Sequence, residues 1–135
     1  MPAAQDPLAV VRAFDAACNA DDLDGALALF ADEAVVRQTP APPDGGEYRG
    51  QAQIRHWLEP QLIGFHVDSR DHRVSGETVT WTAMVTAEML RRAGLADPVR
   101  AGAEAVVRDG KIAAFTVANN PEDVARFRVG VSPPA

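Results

Sequence analysis

A chain of 135 residues has room for one domain with a substantial core and none for a second. Its formal net charge of −6, with 13 Lys and Arg dispersed without a basic block, runs against binding a phosphate backbone or an anionic membrane surface. The single cysteine, Cys18, excludes an internal disulfide, and no apolar run approaches the roughly 18 residues that cross a bilayer.

Asp6-Pro7 marks a helix start, because Asp accepts hydrogen bonds from the free N–H groups of a first turn and Pro tolerates the first helical position. The first helix is predicted over Pro7 to Asn19, with Val10, Phe14 and Ala17/Cys18 on one face. There Cys18 reads as a small buried apolar residue rather than a nucleophile. Asp21 or Asp22 caps a second helix carrying Leu23, Leu27 and Phe30, and strand-like alternation begins near Ala34. The run PAPPDGGEYRG, Pro40 to Gly50, is too rich in Pro and Gly for a regular element, and reads as a loop or wide hairpin at a cavity rim. From Gln51, the spacing of Ile54, Trp57, Leu58 and Leu62 predicts a third amphipathic helix that Pro60 weakens near its end.

The second half is rich in strands. Phe65–Val74, Thr78–Leu90, Val99–Arg108 and Lys111–Asn119, separated by SGE, RAGLADP and RDGK, predict a four-stranded antiparallel meander. Val99, Ala101, Ala103, Ala105 and Val107 alternate with Arg100, Gly102, Glu104, Val106 and Arg108, so one face is covered and its small alanines leave room. Asn120-Pro121-Glu122-Asp123 starts a short helix carrying Val124 and Phe127, and residues 129–135 read as a flexible tail. The expectation is one α+β domain over residues 1–135, with a core of about 6–128. No signal-peptide pattern opens the chain, and a cytoplasmic location is expected.

The stretch VVRAFDAACNADDLDGALALFADEAVVRQTP, Val10 to Pro40, resembles the nuclear transport factor 2-like (SnoaL-like) superfamily. Within it, NADDLDGALALFADEAVV is similar to the ketosteroid isomerase branch, and GKI at Gly110–Ile112 agrees. The resemblance covers about Asp6 to Phe127. It implies a cone-shaped fold: three helices of the N-terminal half packed in a curved, mostly antiparallel sheet, enclosing an apolar funnel. That superfamily hosts isomerases, epoxide hydrolases, dehydratases, cyclases and non-catalytic modules, so fold alone does not choose a reaction.

In ketosteroid isomerases a carboxylate at the end of the first strand moves the proton, while a helix-one Tyr and a protonated sheet Asp stabilise the oxyanion. The resemblance puts Gln38, Phe14 and about Ala103 in those places, and none has the required group. PAPP after the first strand resembles limonene epoxide hydrolase, whose Asp–Arg–Asp set falls here on Ala83, Val85 and Val117. Neither standard reaction is expected.

Hairpin pairing offers another set of residues. With Gly76-Glu77 as a two-residue turn, Val74 opposes Val79, His72 opposes Trp81, Arg70 opposes Ala83, Asp68 opposes Val85 and His66 opposes Ala87. Opposed residues share a face, so His66, Asp68, Arg70 and His72 would enter the cavity with Trp81. On that reading Asp68 and His66 are the catalytic candidates. The alternative turns Phe65 and Val67 inward and leaves the four polar residues in solvent, and a bulge would satisfy both halves.

The functional expectation is an apolar funnel lined by Phe14, Val36, Gln38, Trp57, Trp81, Ala83, Val85, Ala101, Ala103, Phe115, Val117 and Asn119. It would take a small hydrophobic ligand of steroid-, terpene- or polyketide-like character, as an isomerase, cyclase or hydrolase with non-standard residues. Gln38 and Asn119 would orient a carbonyl or hydroxyl. The alternative is a non-catalytic module with a filled funnel. No cofactor and no metal are expected, and a homodimer is, through Thr80, Thr82, Met84 and Thr86.

Overall fold

The computed structural model describes residues 6–41, 45–95 and 98–131. Helix α1 covers Pro7–Asn19, with the Asp6 carboxylate accepting from the Leu8 N–H at 3.0 Å. Asp22, rather than Asp21, caps α2 (Leu23–Leu27) by accepting from Gly25 N–H at 2.9 Å. This helix is shorter than its apolar spacing suggests. Phe30 already begins strand β1 (Phe30–Thr39), because the neighbouring Leu29 carbonyl accepts from Ile112 N–H at 2.7 Å and draws the chain into the sheet.

At the end of the Pro- and Gly-rich run, of which residues 42–44 lie outside the described residues, β2 (Glu47–Arg49) pairs antiparallel with β1. Helix α3 (Gly50–Leu58) follows and tightens at Pro60 into a single turn over Glu59–Leu62. Strands β3 (His66–Ser75) and β4 (Thr78–Thr86) form a hairpin, as do β5 (Val99–Arg108) and β6 (Lys111–Asn119). The predicted strand to Leu90 stops at Thr86, and Glu88–Arg92 forms helix α4 instead. Met89 and Leu90 thereby reach the cavity mouth. Helix α5 covers Pro121–Val131, its first turn held by Asn120 Oδ1 accepting from Glu122 N–H at 2.8 Å. The helix takes in the start of the predicted tail; residues 132–135 and the Phe127 side chain lie outside the described residues.

The sheet has six strands in the order β2-β1-β6-β5-β4-β3, all antiparallel except the parallel pair β1–β6. It curves around α1 and α3 as the expected α+β cone.

Cross-strand register stacks the inner face in rows. Val79, Ala105, Phe115 and Val36 form a floor, exposed by 0%, 0%, 5% and 0%. One step toward the mouth comes Trp81, Ala103, Val117 and Gln38, and beyond it Ala83, Ala101 and Asn119. Ala103 in the second row and Ala83 and Ala101 in the third leave space that larger side chains would fill, and this space is part of the cavity.

Phe115 is the hub of the packing. Phe14 lies 5.3 Å from it, Trp81 5.7 Å and Trp57 6.2 Å between ring centroids. Tilted and edge-on pairs like these contribute about 0.5–1.5 kcal/mol each beyond the area they bury.

Strand β3 is an edge, so its outward backbone groups need partners. Asn19, the last residue of α1, supplies both: Nδ2 donates to the Val67 carbonyl at 3.0 Å, and Oδ1 accepts from the Val67 N–H at 2.8 Å. The amide imitates a neighbouring strand for one residue and fixes α1 against β3.

Candidate functional site

The rows above the floor line a cavity of about 550 Å³, with Met89 and Leu90 of α4 and Asp123 and Val124 of α5 also in its wall. This volume lies in the range of sites that bury a drug-sized molecule. Its wall includes Phe14, Gln38, Trp57, Trp81, Ala83, Val85, Ala101, Ala103, Phe115, Val117 and Asn119. Val36 is a correction. It sits in the floor row at 0% exposure, beneath the cavity rather than in its wall.

Gln38 comes to the wall at the end of β1, paired with Val117. Its Oε1 accepts from Trp57 Nε1–H at 3.0 Å. An indole nitrogen only donates, so this bond decides which end of the amide faces it. The Gln38 NH2 group is therefore turned away from Trp57, and its side chain makes no other hydrogen bond among the described residues. A half-buried amide held in this way offers two donors to an acceptor in the cavity.

His66 and Asp68 are also corrected. Both are exposed, and Asp68 is held at the surface by Arg70, whose Nη2 lies 2.7 Å from Oδ2. The pairing begins as expected at the turn, with Val74 opposite Val79, but β3 then carries one extra residue between Arg70 and Arg73. Asp71 sits there at φ 60°, a left-handed conformation that Asp tolerates better than most residues. The bulge reverses the alternation. Before it Val67 and Ser69 turn inward, opposite Val85 and Ala83. After it His72 turns inward and stacks on Trp81, with centroids 6.0 Å apart and planes inclined by 19°.

That reversal brings together a group of side chains the pairing argument did not find. Asp15 on α1 lines the cavity, and Ser69 and His72 stand beside it on β3. Burial pushes the Asp15 carboxyl above its usual range; the Ser69 hydroxyl and the charge of a protonated His72 oppose that rise in part. Ser69 Oγ lies close enough to favour the Asp15 anion but without the alignment of a proper hydrogen bond, and His72 Nε2 is likewise buried without a partner.

The signal for Asp15 was its spacing. It lies four residues after Val11 and three before Cys18, both buried, so an acid occupies the apolar stripe of an amphipathic helix. Cys18 itself lines the cavity, but burial and the neighbouring Asp15 push its thiol up to about 12, which rules it out as a ready nucleophile. Among the described residues no group of three or more His, Cys, Asp or Glu side chains is gathered to hold a metal ion. Nor is any described helix long and apolar enough to cross a membrane.

The family model of the SnoaL-like domain matches residues 10–115, from the first turns of α1 to the Phe115 hub. The chain belongs to the SnoaL-like family. Solved structures agree on the fold of this SnoaL-like protein. TerC, crystallised with polyporic acid, superimposes with a TM-score of 0.75 at 18% identity, over 93% of this chain and 98% of the other. A computationally designed 17-OHP binder gives 0.72 at 21% identity, over 87% and 94%. A candidate polyketide cyclase of Sinorhizobium meliloti gives 0.66 at 21% identity, over 80% and 92%. At these identities the SnoaL-like protein shares their architecture, and its chemistry must come from its own wall.

Proposed function

We propose that this SnoaL-like protein binds one rigid, mostly apolar small molecule of steroid-, terpene- or polyketide-like character, with a carbonyl or similar acceptor held by the Gln38 amide. The observation that carries this reading is the 550 Å³ cavity whose apolar wall contains an amide already oriented by Trp57. Binding buries the ligand's apolar body against Phe14, Trp81 and Phe115, and the amide sets its direction. Proteins of the same architecture named for binding 17-OHP or crystallised with polyporic acid support ligands of this size. A cavity of this volume favours this reading over a filled funnel.

The reading includes a homodimer. Thr80, Thr82, Met84 and Thr86 are half-buried on the outer face of β4, and a second copy of the chain would cover them. Native mass spectrometry reads the stoichiometry directly.

Filling the cavity tests the ligand site. In Ala103→Trp the new ring enters the space between Trp81 and Val117, its partners in register. Calorimetric titration with 2-tetralone, a rigid bicyclic ketone, should show saturable binding to the wild type and at least a tenfold loss in the variant. Because the ring enters open space, the melting temperature should hold, unlike an overpacked core, which loses about 1–3 kcal/mol. Unchanged affinity in Ala103→Trp would refute the pocket assignment.

A further inference from the structure

The Asp15 carboxylate has no task in a site that holds a carbonyl at Gln38. His56 aside, the charged residues among those lining the cavity are Asp15, Arg100 and Asp123. Arg100 shares the outer face of the sheet with Met84, its partner in register, and Asp123 is paired with Arg126, Nη2 to Oδ1 at 2.7 Å. Asp15 is half-buried in the inner wall and forms no ion pair among the described residues.

Its place is the far end of the cavity from Gln38. Helix α1 packs on β3, β4 and β5, whereas α3, which carries Trp57, packs on β1 and β2. In the sheet β6, β5 and β4 lie between β1 and β3, so the two sides are four strand spacings apart, about 19 Å along the curved backbone and less across the funnel. The same span runs ring to ring from Trp57 through Phe115 and Trp81 to His72, beside Asp15. The two ends also differ in kind. Gln38 commits its oxygen to Trp57 and presents only N–H donors, whereas a carboxylate presents only acceptors.

We propose that Asp15 forms a second polar subsite of the cavity, accepting a hydrogen bond from a hydroxyl group at the end of the ligand remote from its carbonyl. The ligand class is then a rigid, otherwise apolar hydroxy-ketone, bound in one direction. This rests on the ligand-site reading above and deepens it.

The surroundings of Asp15 select a hydroxyl over other polar groups. Burial favours the protonated carboxyl while Ser69 and His72 favour the anion, so the subsite's partner has to suit both states. A hydroxyl donates to the anion and accepts from the acid, whereas a second carbonyl suits only the acid and an ammonium group only the anion. An ammonium group would also meet the charge of a protonated His72, which already acts on Asp15. Ser69 and His72 stand behind the carboxylate, outside the cavity wall, and neither Ser69 Oγ nor His72 Nε2 makes an aligned hydrogen bond. A carboxylate has about four acceptor positions, so capacity is left for a group arriving from the cavity. The Asn19 clamp on Val67 holds α1 against β3, which fixes the subsite before any ligand arrives.

Calorimetric titration with ketones of two lengths tests the subsite. One series is 2-tetralone with its 6-hydroxy and 6-methoxy derivatives; the other is 4-phenylcyclohexanone with its para-hydroxy and para-methoxy derivatives. In both, the added group lies at the opposite end from the carbonyl. In at least one series the hydroxy-ketone should bind wild type at least tenfold tighter than its parent, as a hydrogen bond to a charged group allows, and the methoxy-ketone, which has no donor, should gain nothing. Asp15→Leu should bind the parent ketones within about threefold of wild type and lose the hydroxyl advantage. Asp15→Asn keeps the side chain's shape, should lose most of that advantage, and gives the same comparison should the Leu variant no longer bind the parents. In Gln38→Leu the hydroxyl advantage should survive, because the two ends are too far apart to couple. No hydroxyl advantage at either length, or one that persists in both Asp15 variants, overturns the subsite and leaves the ligand site standing. An advantage that vanishes in Gln38→Leu overturns the two-ended arrangement. Absence of binding of every ketone to the wild type overturns the ligand site and this proposal together.

Discussion

Replacing Gln38 separates the two tasks assigned to its amide. Gln38→Leu keeps much of the side chain's bulk but removes the acceptor for Trp57 Nε1–H, in a ring only 9% exposed. A buried donor left unpaired costs about 1–3 kcal/mol. For 135 residues at about 2.1 cal/mol/K each, the unfolding entropy is near 0.28 kcal/mol/K, so the melting temperature should fall by about 4–10 °C. Gln38→Glu retains an oxygen for the indole and should melt closer to wild type, yet it has no NH2 group to offer a ligand. Loss of one net hydrogen bond should weaken 2-tetralone binding roughly 2–10-fold in the Leu variant, and at least as much in the Glu variant, whose carboxylate repels a carbonyl oxygen. Circular dichroism melts and calorimetric titrations of the three proteins give both readouts. A Leu variant that melts within 1 °C of wild type and binds equally well would refute the argument that Trp57 orients this amide.

Three further outcomes follow from the same wall. Asp15 holds its proton to higher pH folded than unfolded, so wild-type stability should fall as pH rises from near 3.8 through the folded value and then level off. Asp15→Asn should remove that fall, giving an advantage in melting temperature that is larger at pH 7 than at pH 4; an equal difference at both would contradict the burial of the carboxyl. Cys18, with a pKa of about 12, should be ionised to about one part in 10⁴ at pH 8 and resist iodoacetamide until the protein unfolds, as mass spectrometry would show. Asn19→Ala removes both bonds to Val67, but water can replace them at an exposed edge, so a loss of about 1–2 kcal/mol, or ~4–7 °C, is expected in thermal melts.

The parts of the fold that were legible in the sequence are those with a local physical cause. Asp6 and Asn120 announce helix starts through their own side chains, and the alternation from Val99 to Val107 fixes which face of β5 is covered. The small side chains of Ala101 and Ala103 belong to that same face, and both line the cavity. Phe30 and α4 were misread because neither is decided locally. Phe30 has helical spacing but is taken by the sheet through Leu29 and Ile112, and the apolar residues of Ala87–Leu90 read equally well as strand. The Asp68 and His66 assignment failed for a third reason: SRDHR is polar throughout, so nothing in its pattern marks where the alternation slips. Asp15 was missed because attention to polar residues on the sheet passed over an acid inside the stripe of a helix.

The bulge in β3 means that part of the pocket's chemistry is written in the length of a strand rather than in the identity of its residues. Asp71 is the residue that the partner strand does not match: deleting it while the turn stays in place would leave Arg70 opposite Thr82 and set His72 opposite Trp81 in a regular ladder, with Val67, Ser69 and His72 still turned inward. A strand of the present length that lost the bulge would instead turn His66, Asp68 and Arg70 into the cavity and Val67 and Ser69 out of it. Relatives one residue shorter at this point can therefore keep the same wall, but only an alignment with its gap at the bulge shows it, and a function transferred across an unrecognised gap here would be assigned to the wrong face of the sheet.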